Sequence, residues 1–268
     1  MSTAVVTGAA RGLGLAIATA LHREGYAVLL TDVDGAAVRA AAESLGCTGA
    51  ELDVRDEAAV RAVAASAEDL TLWVNNAGIL ATGPSWTHDA QTRQRILEVN
   101  ALGAMTGTLA ALEVMREAGR GHIINIVSLA GLVAAPGETV YSASKHALIA
   151  FSLGTLAELR AAGVRDVHIS CVCPDGIWTP MLQERIDDEG VAVSYTGVLL
   201  RPERVAARVA RLARRPRPVV AIPAWRGWQV RFLDAFPSLS MRAAGLVLAY
   251  GRAQQRRYAR RIAAGRWR

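Results

Sequence analysis

Tyr141 and Lys145 stand four residues apart in Tyr141-Ser142-Ala143-Ser144-Lys145, a separation that puts two side chains on one face of a helix. A phenol titrates near ~10 and is a poor proton acceptor at neutral pH, so it needs a positive neighbour to act as a base. An ammonium about 6 Å away, at an effective dielectric of about 20, contributes roughly 2.8 kcal/mol, or about two pKa units, toward ionising it. Such a pair suits general acid/base chemistry on a substrate oxygen. Ser128 lies thirteen residues upstream in Val127-Ser128-Leu129, at the end of an apolar run, and its hydroxyl can orient the same oxygen. Lys145 is the single lysine among 30 basic side chains, which sets it apart further.

A second constellation opens the chain. Thr7-Gly8-Ala9-Ala10-Arg11-Gly12-Leu13-Gly14 follows the apolar Ala4-Val5-Val6 and runs into a helical pattern. Glycines let a backbone turn tightly and approach a pyrophosphate, and a helix N-terminus offers it free N–H groups and a positive dipole. Gly8, Arg11, Gly12, Leu13 and Gly14 are therefore candidate contacts for a dinucleotide. Asp32, just after Ala27 to Thr31, can accept hydrogen bonds from both ribose hydroxyls and repels a 2′-phosphate, which selects NAD over NADP. Arg11 argues for that phosphate, so NADP is the second choice.

The elements that must hold these groups alternate. Apolar runs at Ala4 to Thr7, Ala27 to Thr31, Leu72 to Asn75, Ile123 to Val127, His168 to Cys173 and Val219 to Ile222 read as strands. Between them, Leu13 to Glu24, Ala36 to Leu45, Glu57 to Glu68, Arg93 to Glu117 and Thr139 to Ala162 carry apolar residues at helical spacing. Alternating strands and helices predict an α/β fold, a Rossmann-type doubly wound parallel sheet with its ligand crevice beyond the carboxyl ends of the strands.

The G-x-x-x-G-x-G spacing, Asn75-Asn76-Ala77-Gly78, Ser128 and Tyr-x-x-x-Lys, in this order, resemble the short-chain dehydrogenase/reductase family over roughly residues 3 to 222. The resemblance implies hydride transfer between NAD(H) and a secondary alcohol or ketone, with Tyr141 exchanging the hydroxyl proton. It implies that Lys145 also holds the nicotinamide ribose, and that Asn100 anchors a water in a proton relay. Asp53 and Val54 would border the adenine, and Asn76, Ala77 and Gly78 would line the cofactor. Pro174, Ile177 and Thr179 would meet the nicotinamide end. Where relatives have Pro-Gly, this chain has Pro174-Asp175-Gly176, which predicts a turn shifted onto Gly176 with binding kept and a carboxylate near the nicotinamide. Residues 178 to 200 correspond to a substrate lid, and its Trp178, Met181, Leu182, Tyr195, Val198 and Leu199 suit an apolar steroid, terpenoid, retinoid or acyl-type alcohol or ketone, or else pack the lid on the core. Family members assemble as dimers or tetramers, so a homodimer or homotetramer is expected.

Charge is uneven along the 268 residues: the first 200 sum to −9, whereas residues 201 to 268 hold 17 arginines against Glu203 and Asp234. A boundary near Trp225 follows, giving a catalytic domain over 1–224 and an Arg-rich helical extension over 225–268. The extension mixes Leu246-Val247-Leu248-Ala249-Tyr250 with Arg256, Arg257, Arg260, Arg261, Arg266 and Arg268. A subunit contact with a solvated basic end is the preferred reading, and peripheral contact with an anionic membrane is the alternative. No reading motif for nucleic acid accompanies the arginines, so no specific nucleic acid is expected. Apolar runs fall short of a bilayer span and Met1-Ser2-Thr3 begins no signal peptide, which places the protein in the cytoplasm. Cys47, Cys171 and Cys173 lack metal-ligand spacing, and no metal is expected. Ser142-x-x-Lys145 also spells an acyl-enzyme motif, but the required Lys-Thr-Gly is missing. A catalytically idle NAD(H)-binding or membrane-associated scaffold is the remaining alternative, disfavoured because Asn100, Ser128, Tyr141 and Lys145 are all competent.

Overall fold

The computed structural model describes residues 2–266, so Met1, Trp267 and Arg268 lie outside the described residues. Seven strands, β1 (Thr3–Thr7), β2 (Ala27–Asp32), β3 (Thr48–Glu51), β4 (Leu70–Asn75), β5 (Gly121–Ile126), β6 (Val167–Pro174) and β7 (Val219–Ile222), form one sheet ordered β3-β2-β1-β4-β5-β6-β7. Every neighbouring pair is parallel. The order reverses between β1 and β4, and a crevice must open there beyond the strand ends.

Helices α1 (Gly12–Arg23), α2 (Gly35–Leu45), α3 (Glu57–Ser66), α4 (Ala90–Leu97), α5 (Ala104–Glu117) and α6 (Thr139–Ala161) cover the two faces, with α7 (Pro180–Gln183) and α8 (Pro202–Arg214) following. Strand side chains alternate between faces. Ala4 and Val6 pack with Ile17 and Leu21 of α1 and with Val205 and Val209 of α8. Val5 faces the other way, onto Trp73, Ile123, Val60 of α3 and Met115 of α5. Full burial of each such aliphatic side chain contributes about 1.5–3 kcal/mol.

Asp34, Asp56 and Asp89 start α2, α3 and α4 by accepting the N–H of Ala37, Ala59 and Thr92 at 3.0, 3.0 and 2.7 Å. Helix α1 begins differently: Arg11 stands at its N-cap without a side-chain hydrogen bond, so its first N–H groups are left for another acceptor.

Two elements go beyond the apolar pattern of the sequence. β3 reads Thr-Gly-Ala-Glu and is a strand because it pairs with Leu29 to Asp32 of β2. In α8, Val205, Ala206, Val209 and Ala210 are buried, and Arg204, Arg208, Arg211 and Arg214 mask that stripe. The single helix expected over Arg93 to Glu117 is broken by a π-helical turn at Glu98–Gly103. The chain ends in α9 (Ala224–Ala235) and α10 (Pro237–Ala263). Helix α9 packs on β7, where a Cβ at Gly227 would strike Ala221, and Gly251 of α10 lies against the Ala192 carbonyl. Gln255 of α10 donates to the carbonyls of Ile186 and Asp188, each at 2.8 Å.

Candidate active site

The glycine turn leaves β1 and folds against the end of β4. A Cβ at Gly8 would lie 2.7 Å from Ala77 Cα, and one at Gly14 would collide with the Gly8 carbonyl oxygen. Gly8 and Gly12 also have φ of +63° and +62°, where other residues are strained. Thr7 Oγ1 accepts the N–H groups of Asn76 and Ala77 at 3.0 and 3.1 Å. Asn76 Nδ2 returns bonds of 2.9 Å to the carbonyls of Thr7 and Gly8. Asn75, one residue earlier, is a core group: its amide joins Trp73, Thr108 and Asn125 across β4, β5 and α5.

Gly8, Arg11, Gly12, Leu13, Gly14, Asn76, Ala77 and Gly78 line a cavity of about 450 Å³ beyond the strand ends. Asp32, Asp53 and Val54 border it on the β2 and β3 side, and Ser128, Tyr141, Lys145, Pro174, Ile177 and Thr179 on the β5 and β6 side. The Asp32 carboxylate accepts the N–H groups of Ala10 and Asp34, both at 3.1 Å, which fixes it at the mouth of the turn. Arg11 is directed instead to Glu184, 3.2 Å away. Arg55 beside Asp53 holds that carboxyl below the usual range.

Helix α6 carries Tyr141 and Lys145 to the far end. Lys145 is buried, donates to the Ile126 carbonyl at 3.0 Å, and lies 5.6 Å from the centre of the Tyr141 ring. Burial pulls its pKa down to about 8. The Ser128 hydroxyl accepts the Ala130 N–H at 3.1 Å and also faces the phenol, lowering its pKa. Contrary to the expectation from the sequence, the protein's own groups raise Tyr141 above the ordinary phenol value, with burial the largest cause and Glu138 the next. Asn100 sits behind this group rather than on the cavity wall. Its Oδ1 accepts the Ile79 N–H at 2.8 Å, and its Nδ2 donates to the Ile79 carbonyl at 2.9 Å and Ser144 Oγ at 3.2 Å. The π-helical turn provides that orientation, since its extra residue rotates Asn100 inward.

Asp175 follows Pro174, the last residue of β6, and lines the cavity beside Gly176. Its carboxylate is held by Arg226 of α9, with Nε to Oδ2 at 2.8 Å and both side chains buried. Arg226 also reaches Thr196 Oγ1 at 2.9 Å and Gln229. Gly176 donates to Asp175 Oδ1 at 3.1 Å, and a Cβ there would strike the Ser194 carbonyl. The lid divides between its two expected readings. Only Met181 and Leu182 of its six large apolar residues line the cavity. Leu182, Tyr195 and Leu199 form a small core with Val191, against which Trp178 and Tyr258 pack, and Val198 faces solvent.

Glu138 was not foreseen from sequence, where nothing marks it as buried. It lines the cavity, accepts from Ser194 Oγ at 2.7 Å, and burial raises its pKa to about 7. In the unfolded chain it ionises near 4.5, so the folded state is penalised progressively as pH rises from 4.5 through about 7. Glu138→Gln removes a penalty on the order of 3 kcal/mol at pH 8 and almost none near pH 4.5. Thermal unfolding is expected to show the variant several degrees above wild type at the higher pH alone; an equal difference at both would contradict this.

The short chain dehydrogenase family model matches residues 2–190. The chain belongs to the short-chain dehydrogenase/reductase family. Tasselseed-2, a sex determination protein of Zea mays, is 38% identical over 191 residues, covering 67% of this chain and 56% of that protein. Cyclopentanol dehydrogenase of a Comamonas species is 36% identical over 205 residues, 73% of this chain and 81% of the relative. A solved short-chain dehydrogenase/reductase of Burkholderia phymatum, in complex with NAD, superposes with a TM-score of 0.80 at 27% identity over 89% of this chain and 95% of that one. As a short-chain dehydrogenase/reductase, the protein is an oxidoreductase acting on CH–OH groups of alcohols or on the corresponding ketones. Among the described residues, no single helix of this short-chain dehydrogenase/reductase is long and apolar enough to cross a membrane.

Proposed function

We propose that the chain is an NAD-dependent dehydrogenase of an apolar secondary alcohol or ketone, with Ser128, Tyr141, Lys145 and Asn100 as its catalytic group. The convergence of Tyr141, Ser128 and Lys145 on the cavity that the glycine turn opens carries this reading. The donor set fits a dinucleotide: the two glycines where a Cβ would strike backbone, the uncapped α1 N-terminus and the fixed Asp32 carboxylate form a cradle for pyrophosphate and ribose. NAD held there by Gly8, Gly12, Gly14 and Asp32 would supply the acceptor for the carbinol hydride, and NADH the donor for the reverse reaction.

The remaining steps belong to the chain. Ser128 hydrogen-bonds the substrate oxygen and orients it. Tyr141, with its pKa raised, keeps its proton at neutral pH and is ready to donate it to a carbonyl oxygen. For oxidation the phenol must be drawn down; Ser128 already lowers it, and an ammonium at Lys145, 5.6 Å from the ring, would add its pull at pH below the lysine's pKa of about 8. Asn100 clamps Ile79 and Ser144, holding α6 against the end of β4 so that a relay can pass from Lys145. Met181 and Leu182 give the substrate an apolar wall. Exposed Leu109 of α5 and Leu153 of α6 suit a homo-oligomer contact through the long helices.

A screen of secondary alcohols with NAD and NADP, read at the nicotinamide absorbance, tests the reading; turnover with none of them beside intact NADH binding would favour the idle scaffold. Asp32→Ala is expected to shift the ratio of NADH to NADPH dissociation constants about 100-fold toward NADPH, a change of about 2.7 kcal/mol. Fluorescence titration of both reduced cofactors reads it, and an unmoved ratio would remove Asp32 as the selector.

A further inference from the structure

Helix α9 turns Arg226 and Val230 inward and leaves the opposite face unpartnered. Trp225, Trp228 and Phe232 recur there at helical spacing, and Trp228 is 78% exposed. Phe236, its ring 5.0 Å from that of Phe232, ends the stripe, and α10, bent 120° from α9, exposes Leu246, at 77%, and Tyr250 in turn. Isolated exposed apolar residues are ordinary, but a contiguous aromatic set marks a contact surface. Arg231, Arg242, Arg256, Arg257, Arg260 and Arg261 are exposed around and beyond it, and none pairs with a carboxylate among the described residues. Asp234 is the single acidic residue of both helices.

We infer that the outer face of α9 and α10 docks peripherally on an anionic phospholipid surface. Aromatic side chains settle at the headgroup level of a bilayer, and arginines beside them meet lipid phosphates. A second copy of the chain fits less well, because a two-fold contact would set these arginines against their own counterparts with only Asp234 to offset them. The helices lie on the surface rather than span it: neither alone is long and apolar enough, and the pair, which is so only when taken together, is bent by 120°. Their inner sides hold the lid through Gln255 and the Asp175 loop through Arg226, so docking leaves the cavity on the protein side.

Co-sedimentation of the full chain with phosphatidylcholine vesicles, with and without about one-third phosphatidylglycerol, tests this. Wild type is expected to pellet with the anionic vesicles, at least about tenfold more strongly than with neutral ones, and to be released by high salt. Trp228→Ser/Phe232→Ser and Arg256→Gln/Arg260→Gln, all at exposed positions, should each weaken binding about tenfold, with Tm and NADH affinity unchanged. Equal pelleting with and without anionic lipid would overturn the inference, as would a wild-type dimer that becomes monomeric in Trp228→Ser/Phe232→Ser. NADH titration on the same samples reports separately on the dehydrogenase reading.

Discussion

Replacing Tyr141 with phenylalanine is expected to lower turnover by about 10³-fold while leaving NADH affinity and thermal stability nearly unchanged. The ring keeps its packing, and its hydroxyl loses only its contact with Ser128. Only the group that gives or takes the substrate proton is lost, so kcat should fall and the cofactor dissociation constant should not. Steady-state kinetics on any secondary alcohol turned over by wild type, with NADH fluorescence titration alongside, separates the two quantities. Turnover surviving undiminished would mean that another group carries the proton. Glu138 would be the first to test, because it lines the same cavity with a pKa near 7.

Arg226→Met is expected to reduce unfolding free energy by roughly 3–5 kcal/mol. Burial already pushes Asp175 above the usual carboxylate range, and Arg226 opposes that rise. With Arg226 gone, the carboxylate must lie uncompensated in a site where its side chain is 5% exposed. Methionine retains much of the arginine's length, so a cavity is not the main cost. Asp175→Asn/Arg226→Met should recover most of the loss, since both charges are then absent. Urea unfolding of the wild type, both single variants and the double measures the coupling. A cost below about 1 kcal/mol for Arg226→Met would show that the ion pair is not what fixes this loop.

The residues legible in the sequence are those whose chemistry depends on local spacing. Gly8, Gly12 and Gly14 follow a strand within one turn, and Tyr141 and Lys145 share one face of α6, so neighbours along the chain are neighbours in space. Long-range features were hidden. Asp175 and Arg226 are 51 residues apart, and the arginine lies in a segment that composition sets aside as an appendage. Glu138 carries no local signal of burial, which comes from the lid placing Ser194 against it. Asn100 looked like a residue of one continuous helix, whereas its inward aim comes from a π-helical turn that no apolar period reveals. The lid's apolar residues fitted both a substrate wall and a core, and pattern alone could not separate Met181 from Tyr195. Likewise β3 owes its strand to β2 and has almost no apolar content of its own.

A crystal structure of the protein with NADH bound puts the proposed chemistry to its most direct trial. The pyrophosphate should lie on the α1 N-terminus beside Gly12, with the adenosine ribose on Asp32. The reactive carbon of the nicotinamide should then leave room for a substrate carbon about 3–3.5 Å away, within reach of the Tyr141 and Ser128 hydroxyls. A dinucleotide found outside this cavity, or seated with its nicotinamide at the Asp53 end, would contradict the assignment of the site.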